Sequence, residues 1–133
     1  MSAARSLGVC SALLLLSSYA SAATISVAAG GDLQAALNAA KPGDTIVLQA
    51  GATFTGNFTL PAKGGTSYIT LRSSAPDSSF PPAGQRITPS YASLMPKLRG
   101  TTAGGSALRT AVGASYWRLL FLEFKPAPTQ RPG

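Results

Sequence analysis

The sequence contains no histidine, and this absence removes a large part of protein chemistry. Without an imidazole the chain cannot form a Ser-His-Asp or Cys-His nucleophile, a histidine metal site or a histidine general base. Acids are also scarce, with 4 Asp or Glu against 11 Lys or Arg. Charged residues make up 11% of the chain, whereas an average soluble domain has roughly 25%. The composition therefore gives little support to a reaction carried out by these 133 residues alone.

Cysteine is nearly absent, and the one present, Cys10, lies in an N-terminal segment with the parts of a secretory signal peptide. Arg5 precedes an apolar run over 7–16, and the small residues 20–22 form a cleavage site. We interpret 1–22 as a signal peptide and predict a secreted or periplasmic protein that begins at Ala23. A membrane anchor is the alternative, but the apolar run is well short of the ~20 residues that span a bilayer. The mature chain would then fold without disulfides and without a membrane.

One segment has the spacing of an α-helix, and glycine and proline are frequent elsewhere (14 Gly and 10 Pro). Asp32 is a suitable N-cap, and we expect Lys41 in the last turn before Pro42 and Gly43 end the helix. The apolar positions recur at helical spacing and share one face: Leu33, Ala36, Leu37 and Ala40. This short helix should cover another part of the protein.

The rest of the chain alternates with a period of two in short segments separated by Gly, Asn and Pro. Strands are predicted at 45–48, 53–55, 58–60, 68–72, 97–99, 107–112 and 116–124, with a Ser/Pro-rich loop at 73–96. The alternation breaks near Leu120 and Phe121, which predicts a corner or bulge rather than a straight strand. The predicted interior positions are Ile46, Leu48, Phe58, Leu60, Ile69 and Leu71. Strands this short, without Asn-Gly or Asp-Gly hairpin turns, favour a parallel β-helix over a sandwich.

The block 31–48, with Lys41-Pro42-Gly43-Asp44-Thr45-Ile46, resembles the N-terminal cap and first coil of the pectin-lyase-like superfamily of right-handed parallel β-helices. The resemblance continues through 51–58, returns at 115–124, and covers roughly 24–125. Related strands often carry Gly where this chain has Phe121. The resemblance implies an all-β solenoid with a capping helix over 23–125, followed by a Pro-rich unstructured end at 126–133.

Members of that superfamily are several hundred residues long, and their catalytic groups and any calcium ligands come from middle coils. The resemblance therefore implies an N-terminal fragment of a protein that binds or degrades polysaccharide. We expect no cofactor in this segment. Any calcium would bind in coils beyond Gly133. We also expect the protein to be a monomer.

The acids and the basic residues differ as candidate sites. We interpret Asp32 as a helix cap, Asp44 and Asp77 as turn residues and Glu123 as an outward strand residue, and expect none to be catalytic or a metal ligand. Some basic residues on or beside strands could stack into a strip that attracts an acidic polysaccharide. The candidates for this contact are Arg72, Arg99, Arg109 and Arg118, with Lys97 nearby. The alternative is that these charges only protect strand edges and keep the protein soluble.

The basic residues are too dispersed for nucleic acid. The tyrosines 68, 91 and 116 could stack on sugars, whereas Trp117 fits the interior better. A β-helical surface or adhesion protein that only binds is the main alternative to an enzyme, and a small sandwich complete at this length is a weaker one.

Overall fold

Three parallel β-sheets form the body of the protein. The computed structural model describes residues 21–128, so most of the interpreted signal peptide, and residues 129–133 of the predicted unstructured end, lie outside the described part. The strands are β1 (Thr24–Val27), β2 (Thr45–Leu48), β3 (Thr53–Thr55), β4 (Phe58–Leu60), β5 (Ile69–Ser73), β6 (Lys97–Arg99), β7 (Leu108–Thr110), β8 (Trp117–Leu120) and β9 (Glu123–Lys125). The helix α1 spans Leu33–Ala39. Within residues 21–128 the fold is therefore mostly β, with one short α-helix.

The chain visits the sheets in a fixed rotation. The first sheet has the order β1-β2-β5-β8, the second β3-β6-β9 and the third β4-β7, and every pairing is parallel. After β2 in the first sheet, the chain passes to the second with β3 and to the third with β4, and then returns to the first with β5. Residues at equivalent positions of successive passes therefore lie side by side.

Alternate residues of the strands point into a shared apolar core. The six predicted interior residues are all buried, from Ile46 and Leu71 at 0% exposure to Phe58 at 9%. The register explains this, because Ile46 pairs with Leu71 on the next strand of the first sheet. Burial of such side chains stabilises the fold by about 1.5–3 kcal/mol each.

The helix α1 covers one end of this core, as its spacing predicts. Leu33, Ala36, Leu37 and Ala40 are all buried and belong to the main apolar cluster. Asp32 is the N-cap, and its carboxylate accepts a hydrogen bond of 3.0 Å from the Ala35 N–H.

The helix is shorter than predicted, and placing Lys41 in its last turn was wrong. The helix ends at Ala39, and Ala40 is already extended. The Lys41 N–H donates to the Asp44 carboxylate at 2.8 Å, and proline at 42 disfavours helical backbone at the residue before it. The Asp44 side chain thus closes a turn where the helix would otherwise have continued.

Three further elements, one strand and two 3₁₀ helices, were not predicted from the sequence. The strand β1 pairs with β2 ahead of the helix. The loop 73–96 contains 3₁₀ helices at Asp77–Ser79 and Pro89–Leu94. It also has a small core of its own, built on Ala75, Phe80 and Met95 and contacted by Ala50, Tyr91, Leu94 and Phe121.

The predicted break near Leu120 and Phe121 is confirmed as a corner. Phe121 has a φ of +56°, in the left-handed region that favours glycine, and it separates β8 in the first sheet from β9 in the second. Its ring stacks on that of Phe80 with centroids 3.9 Å apart.

None of the helices within residues 21–128 has the length and apolar character to span a bilayer.

Candidate functional site

The four arginines proposed as polysaccharide contacts lie on three different sheets. Arg72 and Arg118 are on β5 and β8 of the first sheet, Arg99 is on β6 of the second, and Arg109 is on β7 of the third. Within the first sheet, Arg118 pairs with Thr70, so that Arg72 is its diagonal neighbour. The fold therefore brings two of the four onto one face and does not form a single strip from all of them.

Arg72 is largely occupied by contacts within the protein. Its guanidinium forms an ion pair with Asp77 and donates to the Ala75 carbonyl at 3.2 Å. It also lies 5.6 Å from the centre of the Phe121 ring. These contacts hold the start of the 73–96 loop against β5, so the role best supported for Arg72 is structural.

The basic residues of the second sheet surround an acid. Lys97 Nζ lies 3.3 Å from one Glu123 carboxylate oxygen and Lys125 Nζ lies 3.6 Å from the other. Lys97 also donates to the Ala92 carbonyl at 2.7 Å, and Arg99 reaches the Pro126 carbonyl at 3.5 Å. Glu123 thus partly neutralises this face.

Arg109 borders a shallow cleft of about 300 Å³ on the third sheet. Its Nε donates to Thr59 Oγ1 at 3.1 Å. On the other side of the cleft the Asn57 amide bridges to Thr101, donating to the hydroxyl at 2.9 Å and accepting from the N–H at 3.2 Å. Asn57 is therefore a corner residue between β3 and β4.

Tyr68, Tyr116 and Arg118 form an exposed cluster on the first sheet, which we call the tyrosine–arginine patch. The two tyrosines immediately precede β5 and β8, and the Ile69 N–H donates to the Tyr116 carbonyl at 2.9 Å. Their rings meet edge to face with centroids 5.6 Å apart. Arg118 Cζ lies 4.6 Å from the centre of the Tyr68 ring. Tyr68 is 48% exposed and Tyr116 is 41% exposed.

The charge of the patch is not neutralised within the described chain. Among residues 21–128, Arg118 has no ion pair and makes no side-chain hydrogen bond, so its donors face solvent. Tyr116 has a φ of +57°, which is uncommon for a bulky residue. Such backbone strain is frequent at binding and catalytic sites, and the strained conformation of Tyr116 is therefore consistent with a binding site at this position.

The patch combines the two groups needed to hold an acidic sugar. A guanidinium binds a carboxylate with two parallel hydrogen bonds, and an exposed tyrosine offers an apolar ring face with a polar hydroxyl at its edge. The apolar C–H face of a pyranose ring can stack on such a ring while its carboxylate meets Arg118.

The sequence contains a signal for this patch that periodicity did not identify. The order Ser-Tyr-apolar-polar-Leu occurs twice, at 67–71 and at 115–119. The two copies are separated by one pass through the three sheets. Because β5 pairs with β8, the copies lie side by side in the structure. By contrast, Trp117 belongs to the interior as expected, since it packs against the core and its indole N–H donates to the Pro61 carbonyl at 3.1 Å.

The four acids each serve a local structural purpose. Asp32 caps the helix, Asp77 pairs with Arg72 and Glu123 faces two lysines. Asp44 is buried, and the backbone N–H groups of Lys41 and Ala23 hold its pKa below the usual value for an aspartate. Within residues 21–128, no group of three or more His, Cys, Asp or Glu side chains is close enough to hold a metal ion.

Comparison with known proteins gives one solved structure with the same general architecture. No family model matches the sequence, and no curated protein matches it. The crystal structure of alginate lyase from Paenibacillus sp. str. FPU-7 matches with 33% sequence identity and a TM-score of 0.55. The match covers 75% of this chain and 28% of that one, so the chain spans little more than a quarter of the lyase.

Proposed function

We propose that this chain is the N-terminal part of an exported, right-handed parallel β-helix protein that binds an acidic polysaccharide. The observation that carries the proposal is the tyrosine–arginine patch, in which Arg118 is free to meet a carboxylate beside two exposed rings. The structural likeness to an alginate lyase supports the same substrate class, because alginate is a polymer of uronic acids.

The rotation of the chain through three parallel sheets supports the solenoid. The two complete passes, β2-β3-β4 and β5-β6-β7, each add one strand to every sheet in the same order, and β8 and β9 continue that order. A β-helix grows in this way. Crossover connections between parallel strands are right-handed in nearly all proteins, and this favours the right-handed form. The membership in the pectin-lyase-like superfamily that the 31–48 block suggests is part of this proposal.

The last strands support a longer parent protein. Leu119 on β8 pairs with buried Leu71, and Phe124 on β9 pairs with buried Leu98. Despite these inward positions, Leu119 is 40% exposed and Phe124 is 51% exposed. Another coil stacked on β8 and β9 would bury both side chains, and such coils would supply the catalytic groups of a lyase or hydrolase.

Binding to sugar polymers of different charge tests the proposal. We expect the chain to bind alginate oligosaccharides and to bind a neutral glucan of similar length far more weakly. Arg118→Gln should weaken alginate binding by about tenfold or more, because it removes a charge-assisted pair worth roughly 1.5–3 kcal/mol. Arg86→Gln is the matched control, since Arg86 is an exposed arginine in the 73–96 loop. Alginate affinity is measured by titration calorimetry. An equal loss of affinity in both variants would show that binding depends on overall positive charge and not on the patch.

A binding protein without catalysis is the second candidate, favoured by the structural use of all four acids described above. Incubation of the whole parent protein with alginate separates the two. A lyase generates unsaturated uronate ends that absorb ultraviolet light, a hydrolase generates saturated reducing ends, and an adhesion protein releases neither.

A further inference from the structure

Asp44 is a buried carboxylate whose hydrogen-bond donors within residues 21–128 are two backbone N–H groups. Its side chain lies between the start of β1 and the turn before β2 and is 6% exposed. One oxygen accepts the Lys41 N–H at 2.8 Å and the other accepts the Ala23 N–H at 2.9 Å. No Lys or Arg side chain within residues 21–128 lies at ion-pair distance from it. The Lys41 charge acts on Asp44 only through space and without direct contact. Burial of a charge without a counter-ion in direct contact is unfavourable compared with burial in an ion pair.

Ala23 is the point at which ordered pairing of the first sheet begins. Besides the N–H bond to Asp44, its carbonyl accepts the Thr45 N–H at 2.9 Å, and β1 starts at the next residue. The two residues before it, Ser21 and Ala22, are exposed. Within residues 21–128 neither of them makes a backbone hydrogen bond. Ser21 and Ala22 are therefore accessible, whereas the N–H and the carbonyl of Ala23 are both hydrogen-bonded.

The cleavage site read from the sequence falls at this same residue. We propose that cleavage between Ala22 and Ala23 creates an α-ammonium group on Ala23 that forms an ion pair with the Asp44 carboxylate. The inference rests on cleavage of the signal peptide and is independent of polysaccharide binding. It assigns Asp44 a partner that the uncleaved chain does not contain.

The chemistry requires a peptidase and one water molecule. Water adds across the Ala22–Ala23 peptide bond, the new carboxyl group leaves with residues 1–22, and the Ala23 nitrogen becomes an amine. At neutral pH this amine takes up a proton, since a free α-amine has a pKa near ~7.7–8.0. The nitrogen already lies 2.9 Å from the Asp44 oxygen, so cleavage would convert a hydrogen bond with one charged partner into an ion pair with two. The processed protein should therefore be more stable than its precursor.

Two chains that differ by two residues test this ion pair directly. Protein that begins at Ala23 is compared with protein that begins at Ser21, which has its amine in solvent, and each is also made with Asp44→Asn. The readouts are the acylation rate of the α-amine with an amine-reactive ester at neutral pH and the melting temperature. We expect acylation at least about tenfold slower for the Ala23 start, corresponding to a pKa raised by one unit or more. We also expect a melting temperature higher by roughly 4–8 °C.

The remaining comparisons decide the outcome. Asp44→Asn should abolish both differences, and if that variant does not fold, the Ala23 and Ser21 starts alone decide. Equal acylation rates and equal melting temperatures would overturn the ion pair. The exported full chain should also give an intact mass that begins at Ala23, and a mature N-terminus at another residue would overturn the proposal. No arm uses polysaccharide, so a failure of polysaccharide binding leaves these results unaffected.

Discussion

The side chain of Gln34 forms two hydrogen bonds with the backbone of Thr59. Its carbonyl oxygen accepts the Thr59 N–H and its amide nitrogen donates to the Thr59 carbonyl, both at 2.9 Å. Thr59 lies on β4, whose other edge pairs with β7 in the third sheet. A helix side chain thus occupies the strand edge that a preceding coil would otherwise fill. Unpaired edges of this kind promote aggregation.

We predict that Gln34→Ala destabilises the protein by about 1–3 kcal/mol. The reason is that both backbone groups of Thr59 lose their partner at a partly buried edge. Urea denaturation followed by circular dichroism measures the loss. Gln85→Ala is the matched control, because Gln85 is exposed in the 73–96 loop, and it should change stability by less than about 0.5 kcal/mol. Equal effects of the two substitutions would show that Gln34 does not cap the edge.

The contribution of Asp44 to stability should depend on pH. Hydrogen bonds from the Lys41 and Ala23 N–H groups lower its pKa in the folded state. The unfolded chain has the higher pKa, so the stabilisation is fully present above about pH 5 and is lost as the pH falls through the folded pKa. We predict that Asp44→Asn is less stable than the parent chain at pH 7 and that the difference shrinks towards pH 3. A difference that is constant over this range, measured by denaturant titration at each pH, would contradict the assignment.

Phe121 combines an unfavourable backbone conformation with a favourable ring contact. Its φ of +56° suits glycine, whereas its ring stacks on Phe80. Phe121→Ala removes the ring and keeps the strain, while Phe121→Gly removes both. We predict that both variants are destabilised and that the alanine variant is the less stable by about 1 kcal/mol. Melting curves of the two variants provide the comparison, and an alanine variant as stable as the glycine variant would show that the corner is unstrained.

The exposed inward side chains of β8 and β9 should make this chain self-associate. Leu119 and Phe124 have no coil above them within the described residues. We predict that Leu119→Lys combined with Phe124→Lys lowers the sedimentation coefficient to that of a monomer. Val112→Lys is the control, because Val112 is fully exposed in a turn and faces no strand. If the unmodified chain is monomeric at high concentration, the apolar surface formed by Leu119 and Phe124 does not drive association, and the prediction is wrong.

Local periodicity was sufficient to predict most of the elements. The helical face, the six interior residues and the corner at Phe121 follow from spacing that is visible within a few residues. The strand β1 was missed because Thr24–Val27 is only four residues long and has alanines on both sides. The end of α1 was misplaced because the Asp44 side chain competes for the Lys41 N–H.

The candidate site could not be derived from local pattern. The tyrosine–arginine patch requires that Tyr68 and Tyr116 lie on neighbouring strands, and that depends on the register of β5 with β8. The two strands are separated by the long loop 73–96, whose small core is contacted by Phe121 from beyond β8, and local periodicity does not predict such distant contacts. A basic residue on a strand therefore identifies a candidate, but the register decides which candidates meet.

The most direct test of the account is the location of the bound polysaccharide. Backbone amide resonances of the isotope-labelled chain are followed while an alginate oligosaccharide is added. We predict that the amide resonances of Tyr68, Tyr116 and Arg118 show the largest shifts. The resonances of Arg99 and Lys125 on the second sheet should shift little. Shifts that spread evenly over the basic residues, or that centre on the second sheet, would contradict the assignment of the patch.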